Sequence, residues 1–192
     1  MESYSNFNRT MNLSDYVRVY DDALPLEVCG DLIIRFEHEK HNQVLRQDGL
    51  RSFTEVNVNA SGWVLDPLIR PMLKYRQQYF QECGILPHMI PPEHGFEEIR
   101  MKRYLQGGVE DFKPHVDGYD LLSCKRFLVY FWYLNDVAEG GETVFYRLDK
   151  EVKVQPRAGR LIMFPVTWQY LHAGLAPISD DKYIVGGYLH YE

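Results

Sequence analysis

The 192-residue chain predicts an α+β domain, mainly β, with helices packed on the outside of a strand-rich sandwich or barrel. Two periodicities carry this reading. From about residue 25 to 82, apolar residues recur at helical spacing. From 96 onward, short runs rich in β-branched and aromatic residues alternate with Gly and Pro punctuation. No internal repeat, low-complexity tract or flexible linker separates the two regions. Residues 1–192 therefore read as one domain, with 1–95 as helical support and 96–192 as the β core.

The first helix begins beside Pro25, which a first turn tolerates, and carries Leu26, Cys29, Leu32, Ile33 and Phe36 on one stripe. Residues 43–60 are polar, hold Gly49, Asn57 and Asn59, and read as a long loop or a loose hairpin. A longer stripe then runs from Trp63 through Leu68, Met72, Tyr75 and Tyr79 to Phe80, and stops at Cys83-Gly84. Pro67 and Pro71 predict an irregular start to this second helix. Strands are expected over 96–105, 126–134, 142–146, 152–155, 160–164 and 183–191. Gly107-Gly108, Gly140-Gly141, Arg157-Ala158-Gly159 and Pro177 divide them, and these glycines are turn residues that allow positive φ. Leu128, Phe131, Met163 and Phe164 are core candidates.

Composition excludes several classes. Hydrophobic residues make up 45% and charged residues 25%, a balance that supports a folded core and argues against disorder. The longest apolar run, Phe127 to Leu134, falls far short of a bilayer span, so no membrane partner is expected. The opening segment MESYSNFNRT has neither a cationic start nor an apolar stretch, so no signal peptide is expected. Cys29, Cys83 and Cys124 are odd in number and widely spaced. They read as free thiols in a reducing compartment, which places the chain in the cytoplasm or elsewhere inside the cell. With 27 acidic against 21 basic residues and a formal charge of −6, a partner held by bulk phosphate neutralisation is disfavoured.

His115 and Asp117 stand two apart in Lys113-Pro114-His115-Val116-Asp117-Gly118. In an extended segment both side chains point to one face, the geometry for two ligands on one cation. Composition alone provides about half a chance match to such a pair, and His190-Tyr191-Glu192 is a rival. What distinguishes the first pair is its sequel. His172 follows within Trp168-Gln169-Tyr170-Leu171-His172-Ala173-Gly174, and Lys182 opens the last strand. Two imidazoles and one carboxylate on one face of an octahedral iron leave three positions open. A 2-oxo acid would take two of them, and its remote carboxylate would need a cation such as Lys182.

The ordered pieces are Arg103-Tyr104 with Gly107-Gly108, His115-Val116-Asp117, Tyr133-Leu134-Asn135-Asp136, Gly140-Gly141-Glu142-Thr143-Val144-Phe145, Pro156 to Phe164, His172 and Lys182. Over roughly residues 100–190 this set resembles the Fe(II)/2-oxoglutarate oxygenases, in their prolyl 4-hydroxylase-like branch. The resemblance implies a double-stranded β-helix, a jelly roll with its metal at the open end, packed against N-terminal helices. It implies Fe(II) on His115, Asp117 and His172, and the distal carboxylate of 2-oxoglutarate on Lys182, with Tyr133 as a supporting hydroxyl. Tyr104 is a candidate contact at the other end of the cosubstrate. Arg126 matches a position where relatives carry a basic residue near the substrate. Tyr188, a second candidate substrate contact, stands where they commonly carry tryptophan, so their substrate preference is not carried over to this chain. Residues 43–60 occupy the place of a loop that closes over substrate, with Arg46 and Arg51 as candidate contacts.

The activity implied is hydroxylation of a C–H bond, foremost of a prolyl residue in a peptide or protein. It is coupled to oxidative decarboxylation of 2-oxoglutarate by O2 to succinate and CO2, with ascorbate as an accessory reductant. Rival readings are an oxygenase acting on a free amino acid or a nucleic-acid base, a non-catalytic jelly-roll binding module, and a zinc hydrolase using the same three ligands. The acidic balance disfavours the base oxygenase, as does Lys182, since those relatives hold the cosubstrate with arginine. The lysine and the lack of a nearby general base disfavour the hydrolase.

Overall fold

Among the described residues, 10–192 in this computed structural model, twelve strands form two antiparallel sheets. The opening segment in which no leader was expected lies outside them, except for Thr10. The larger sheet has the order β1 (Arg18–Tyr20), β10 (Leu161–Pro165), β7 (Arg126–Tyr133), β12 (Lys182–Tyr191), β5 (Arg100–Tyr104), β3 (Ser52–Asn57) and β2 (Val44–Gln47). β4 (His94–Phe96) pairs with the far end of β12. The smaller sheet runs β6 (Phe112–His115), β11 (His172–Gly174), β8 (Thr143–Phe145) and β9 (Val152–Val154). This is the jelly roll that the resemblance implies.

Strand alternation divides the interior into two cores. On β7, Leu128, Tyr130 and Trp132 join a cluster with the helices, whereas Val129, Phe131 and Tyr133 face the smaller sheet. Helix α1 (Leu26–His38) buries Cys29, Leu32 and Phe36, and α2 (Asp66–Glu82) buries Leu68, Met72 and Tyr79. Both stripes lie against the outer face of the larger sheet. Each fully buried side chain of this kind contributes about 1.5–3 kcal/mol. Leu26, expected on the α1 stripe, is exposed instead. Pro67 sits in the first turn of α2, where its missing N–H costs no bond, and the helix carries on past Pro71. It ends at Gly84, whose φ of 64° lets the Ile85 N–H return to the Phe80 carbonyl at 2.8 Å.

The N-terminal region differs from its expectation as helical support. It also supplies β1 to β4, all joined to the larger sheet. Within 43–60 the chain forms β2 and β3, and β3 pairs with β5 from Thr54–Arg103 to Asn57–Arg100. Pairing with β5 completes the backbone hydrogen bonding of β3, a gain that its polar composition did not announce. The hairpin's tip is tied down as well. Ser52 N–H donates to Asp111 O, and Lys113 N–H to Leu50 O, both at 2.8 Å.

Candidate active site

Two short strands of the smaller sheet build the centre. β6 and β11 pair so that His172 lies opposite His115. Asp117 lies past the end of β6, in a bend rather than in the extended segment that period-two spacing assumed. Its neighbour Gly118 is anchored by an N–H bond to Val166 O at 3.2 Å. The bend still delivers the carboxylate. One ligand atom from each of His115, Asp117 and His172 lies within 4.8 Å of the others. His115 Nε2 stands 3.8 Å from Asp117 Oδ1, and His172 Nε2 stands 3.5 Å from Asp117 Oδ2.

The backbone sets the imidazole tautomers. His115 Nδ1 is 2.7 Å from Lys113 O and His172 Nδ1 is 3.0 Å from Tyr170 O. A carbonyl can only accept, so each Nδ1 carries the proton and each Nε2 turns a lone pair inward. Phe112 stacks on His115 with ring centroids 3.5 Å apart, and Phe164 meets His172 edge-on. Burial, reinforced by His172, pushes His115 down to about 4. Burial alone would raise Asp117, but the two imidazoles and the Tyr188 hydroxyl hold its carboxyl below the usual range.

A metal fits this arrangement. Asp117 and His172 are each only 6% exposed, and Asp117 Oδ2 is buried without a hydrogen-bond partner among the described residues. An orphaned carboxylate oxygen facing two imidazole lone pairs is costly unless a cation joins them. Two nitrogens and one carboxylate oxygen suit Fe(II), with positions left for other ligands.

The three residues line a cleft between the sheets, together with Lys102, Tyr104, Tyr133, Lys182 and Tyr188. Lys182, first residue of β12, pairs in register with Tyr104 of β5 and is 2% exposed. Its Nζ donates to Leu175 O at 3.0 Å and Gly141 O at 3.1 Å, and sits 4.2 Å from the centroid of the Tyr104 ring. Gly140 and Gly141, with φ of 77° and 76°, make the turn that presents this second carbonyl. Burial pushes the Lys182 ammonium down to about 7. Beside it Tyr133 and Thr143 share a 2.6 Å hydroxyl bond. Burial raises Tyr104, Tyr133 and Tyr188, so all three remain protonated phenols.

Behind Asp117 runs a further chain of contacts. The Tyr188 hydroxyl donates to Asp117 Oδ1 at 2.8 Å, and the Arg126 guanidinium lies 3.9 Å over the Tyr188 ring. Arg126 donates to both Glu97 carboxylate oxygens, at 2.7 and 2.8 Å, and to Asp117 O at 3.0 Å.

The ten residues singled out in the sequence thus fall in three groups. His115, Asp117, His172, Lys182, Tyr133, Tyr104 and Tyr188 all line the cleft, while Arg126 stands behind it. Arg46 and Arg51, expected as loop contacts, pair with Glu55 and Asp48. Sequence reasoning missed three residues. Thr143 was read only as the start of a strand, with no chemistry assigned to it. Glu97 carried no motif. Lys102 shares the face of Tyr104 by strand parity, which was the one signal for it. Burial lowers the Lys102 ammonium, opposed by Glu55 and Asp117.

The comparisons agree with this geometry. Residues 99–190 match the family model of the 2OG-Fe(II) oxygenase superfamily, to which this part of the chain is similar. Within it the likeness is to the prolyl 4-hydroxylase-like branch. Probable prolyl 4-hydroxylase 11 of Arabidopsis thaliana is 36% identical over 80 residues, which cover 39% of this chain and 26% of that relative's length. The 2OG complex of the viral collagen prolyl hydroxylase of Paramecium Bursaria Chlorella virus-1 superposes with a TM-score of 0.67 at 24% identity, covering 92% of this chain and 97% of that one. A Trichoplax adhaerens prolyl hydroxylase, solved with a hypoxia inducible factor oxygen degradation domain peptide fragment, gives 0.69 at 16% identity, covering 92% and 84%.

Proposed function

We propose that the chain is an Fe(II)- and 2-oxoglutarate-dependent dioxygenase that hydroxylates a C–H bond of a prolyl residue in a peptide or protein, releasing succinate and CO2. The observation that carries this reading is the convergence of His115 Nε2, His172 Nε2 and the unpartnered Asp117 Oδ2 in the cleft that buries Lys182. The prolyl target rests on the relatives, one of which was solved with a peptide. The three thiols, free in the described residues, support a reducing compartment such as the cytoplasm. No described helix is long and apolar enough to cross a membrane.

Iron, when bound, supplies the activation of O2 and the oxidative decarboxylation of the 2-oxo acid. The protein's share is geometry and dryness. His115 and His172 hold the metal through Nε2, and Asp117 through Oδ2. Lys182 binds the far carboxylate of 2-oxoglutarate, and the Tyr133–Thr143 hydroxyl pair orients it. Tyr104 lies under the Lys182 ammonium, and its phenol would contact the other end of the cosubstrate. Val129, Phe131 and Ile184 supply the apolar wall that excludes water. To Tyr188 and Arg126 we assign the holding of Asp117 in place of the substrate contact read from sequence.

The test combines metal content, cosubstrate binding and turnover. Purified protein should take up stoichiometric Fe(II) and develop a visible absorbance when 2-oxoglutarate is added without oxygen. With oxygen, ascorbate and a prolyl peptide panel it should release succinate. Protein that binds neither metal nor cosubstrate would return the chain to the class of non-catalytic jelly-roll modules.

A further inference from the structure

Lys102 enters the cleft from β5, on the same strand face as Tyr104 and two residues from it, about 7 Å along the strand. Its Nζ lies 4.9 Å from the centroid of Phe53 and 5.6 Å from that of Phe112, between the β2–β3 hairpin and the strand that carries His115. No hydrogen bond or ion pair engages it among the described residues, so three ammonium N–H donors stand without an acceptor. Its cross-strand neighbour is Glu55, the obvious partner. That carboxylate is instead held by Arg46 at 2.9 Å and faces Arg100 at 3.6 Å. Asp117 is committed to Tyr188 through one oxygen and to the metal position through the other. Lys102 is therefore a cleft cation with no direct hydrogen-bond or ion-pair partner among the described residues, while Glu55 and Asp117 act on it only at a distance.

We propose that Lys102 is a specificity-determining residue that binds a carboxylate carried by the substrate close to the carbon to be oxidised. The proposal rests on the oxygenase reading, because that reading accounts for the other carboxylates in the cleft. The far carboxylate of 2-oxoglutarate has Lys182 and the near one has the metal, so Lys102 is left for the second reactant. Its position agrees. Lys182 is enclosed at the Thr143 end, whereas Lys102 is only partly buried, beside the hairpin. The two phenyl rings hold the ammonium by their faces while leaving its N–H groups free for a carboxylate. The substrate class that follows is a prolyl peptide with Asp or Glu next to the target residue, or one whose own terminal carboxylate lies there.

The experiment uses the full chain loaded with redox-inert Mn(II) and 2-oxoglutarate. The probes are acetylated proline tetrapeptides that carry Glu or Gln, and Asp or Asn, on either side of the proline, together with peptides ending in proline as the acid or the amide. Calorimetry on the wild type should show one acidic member bound roughly tenfold to a hundredfold more tightly than its neutral twin. Lys102→Met should erase that ratio, Lys102→Arg should retain most of it, and both should bind 2-oxoglutarate as the wild type does. A wild type with no acidic preference at any position overturns the proposal. So does a Lys102→Met variant that keeps the preference. A variant that keeps the preference and loses 2-oxoglutarate instead overturns it by moving Lys102 to the cosubstrate. Succinate release by Fe(II)-loaded protein on the same panel tests the oxygenase reading separately, since binding selectivity is read without turnover. Unchanged thermal unfolding of the two variants establishes that they fold.

Discussion

The Tyr188 hydroxyl donates to Asp117 Oδ1 at 2.8 Å, on the oxygen that faces His115 and not the one left bare. A carboxylate rotates easily about its last bond, and this contact stops the rotation. It also fills one acceptor so that Oδ2 remains as the metal-facing atom. Arg126 stacks on the same ring and grips the Asp117 carbonyl, and Glu97 fixes Arg126 in turn. These contacts tie the bend past β6 to β7 and β12.

Tyr188→Phe removes the hydroxyl and keeps the ring under Arg126. We expect Fe(II) or Mn(II) to bind about tenfold more weakly, within the range that outer contacts of a metal ligand usually carry. An anaerobic metal titration measures it, and an unchanged dissociation constant would show that Asp117 is held by its backbone alone.

Metal should also stabilise the fold. At a free concentration a hundredfold above the dissociation constant, the wild type gains about 2.7 kcal/mol. For a chain of this size that raises the melting temperature by roughly 5–10 °C. A chelator should reverse the rise, and Asp117→Ala should not show it, as thermal scans with and without Mn(II) would establish.

Cosubstrate affinity should depend on pH through Lys182. Burial places its ammonium near 7 in the free site, and a bound carboxylate favours the charged form. Binding therefore takes up a proton above that value. The affinity for 2-oxoglutarate should fall about tenfold for each pH unit above roughly 7, until the complex itself titrates. Lys182→Arg stays charged and should flatten the profile, while Lys182→Ala should raise the 2-oxoglutarate requirement sharply with metal binding intact.

Acid should weaken the metal-free protein through His115. Its folded value of about 4 lies below the ordinary 6.5, so between them the unfolded chain binds the extra proton. This contribution is complete above about pH 6.5 and is lost as pH falls toward 4, at most about 3 kcal/mol. Urea unfolding across that interval measures the loss, and His115→Gln should reduce its slope.

The candidate metal ligands and Lys182 were singled out in sequence because their order and spacing as a set carry the resemblance, even though each is weak alone. The helices were legible too, since Cys29, Leu32 and Phe36 repeat with the period of α1. β6 and β11 were not. Each is short, and Pro114, Ala173 and Gly174 give them no strand signature, so their pairing is a tertiary choice. The β2–β3 hairpin was one of two readings of residues 43–60, and its pairing to the larger sheet was not foreseen. Polar residues concealed a strand that exists because β5 offers it an unpaired edge.

Local pattern by itself pointed to the class of fold, and the resemblance carried by the ordered motifs implied the iron-type ligand set and a cation for a dicarboxylate. These follow from residue type and chain order, which a linear sequence states directly. Only the tertiary structure decided that His172 stands across from His115, that Tyr188 holds Asp117, and that Lys102 stays without a partner while Arg46 and Arg100 take Glu55. Those outcomes depend on strand register and on competition among neighbouring charges. Both are settled when the sheets assemble, since register fixes which side chains share a face and burial decides which charge is compensated.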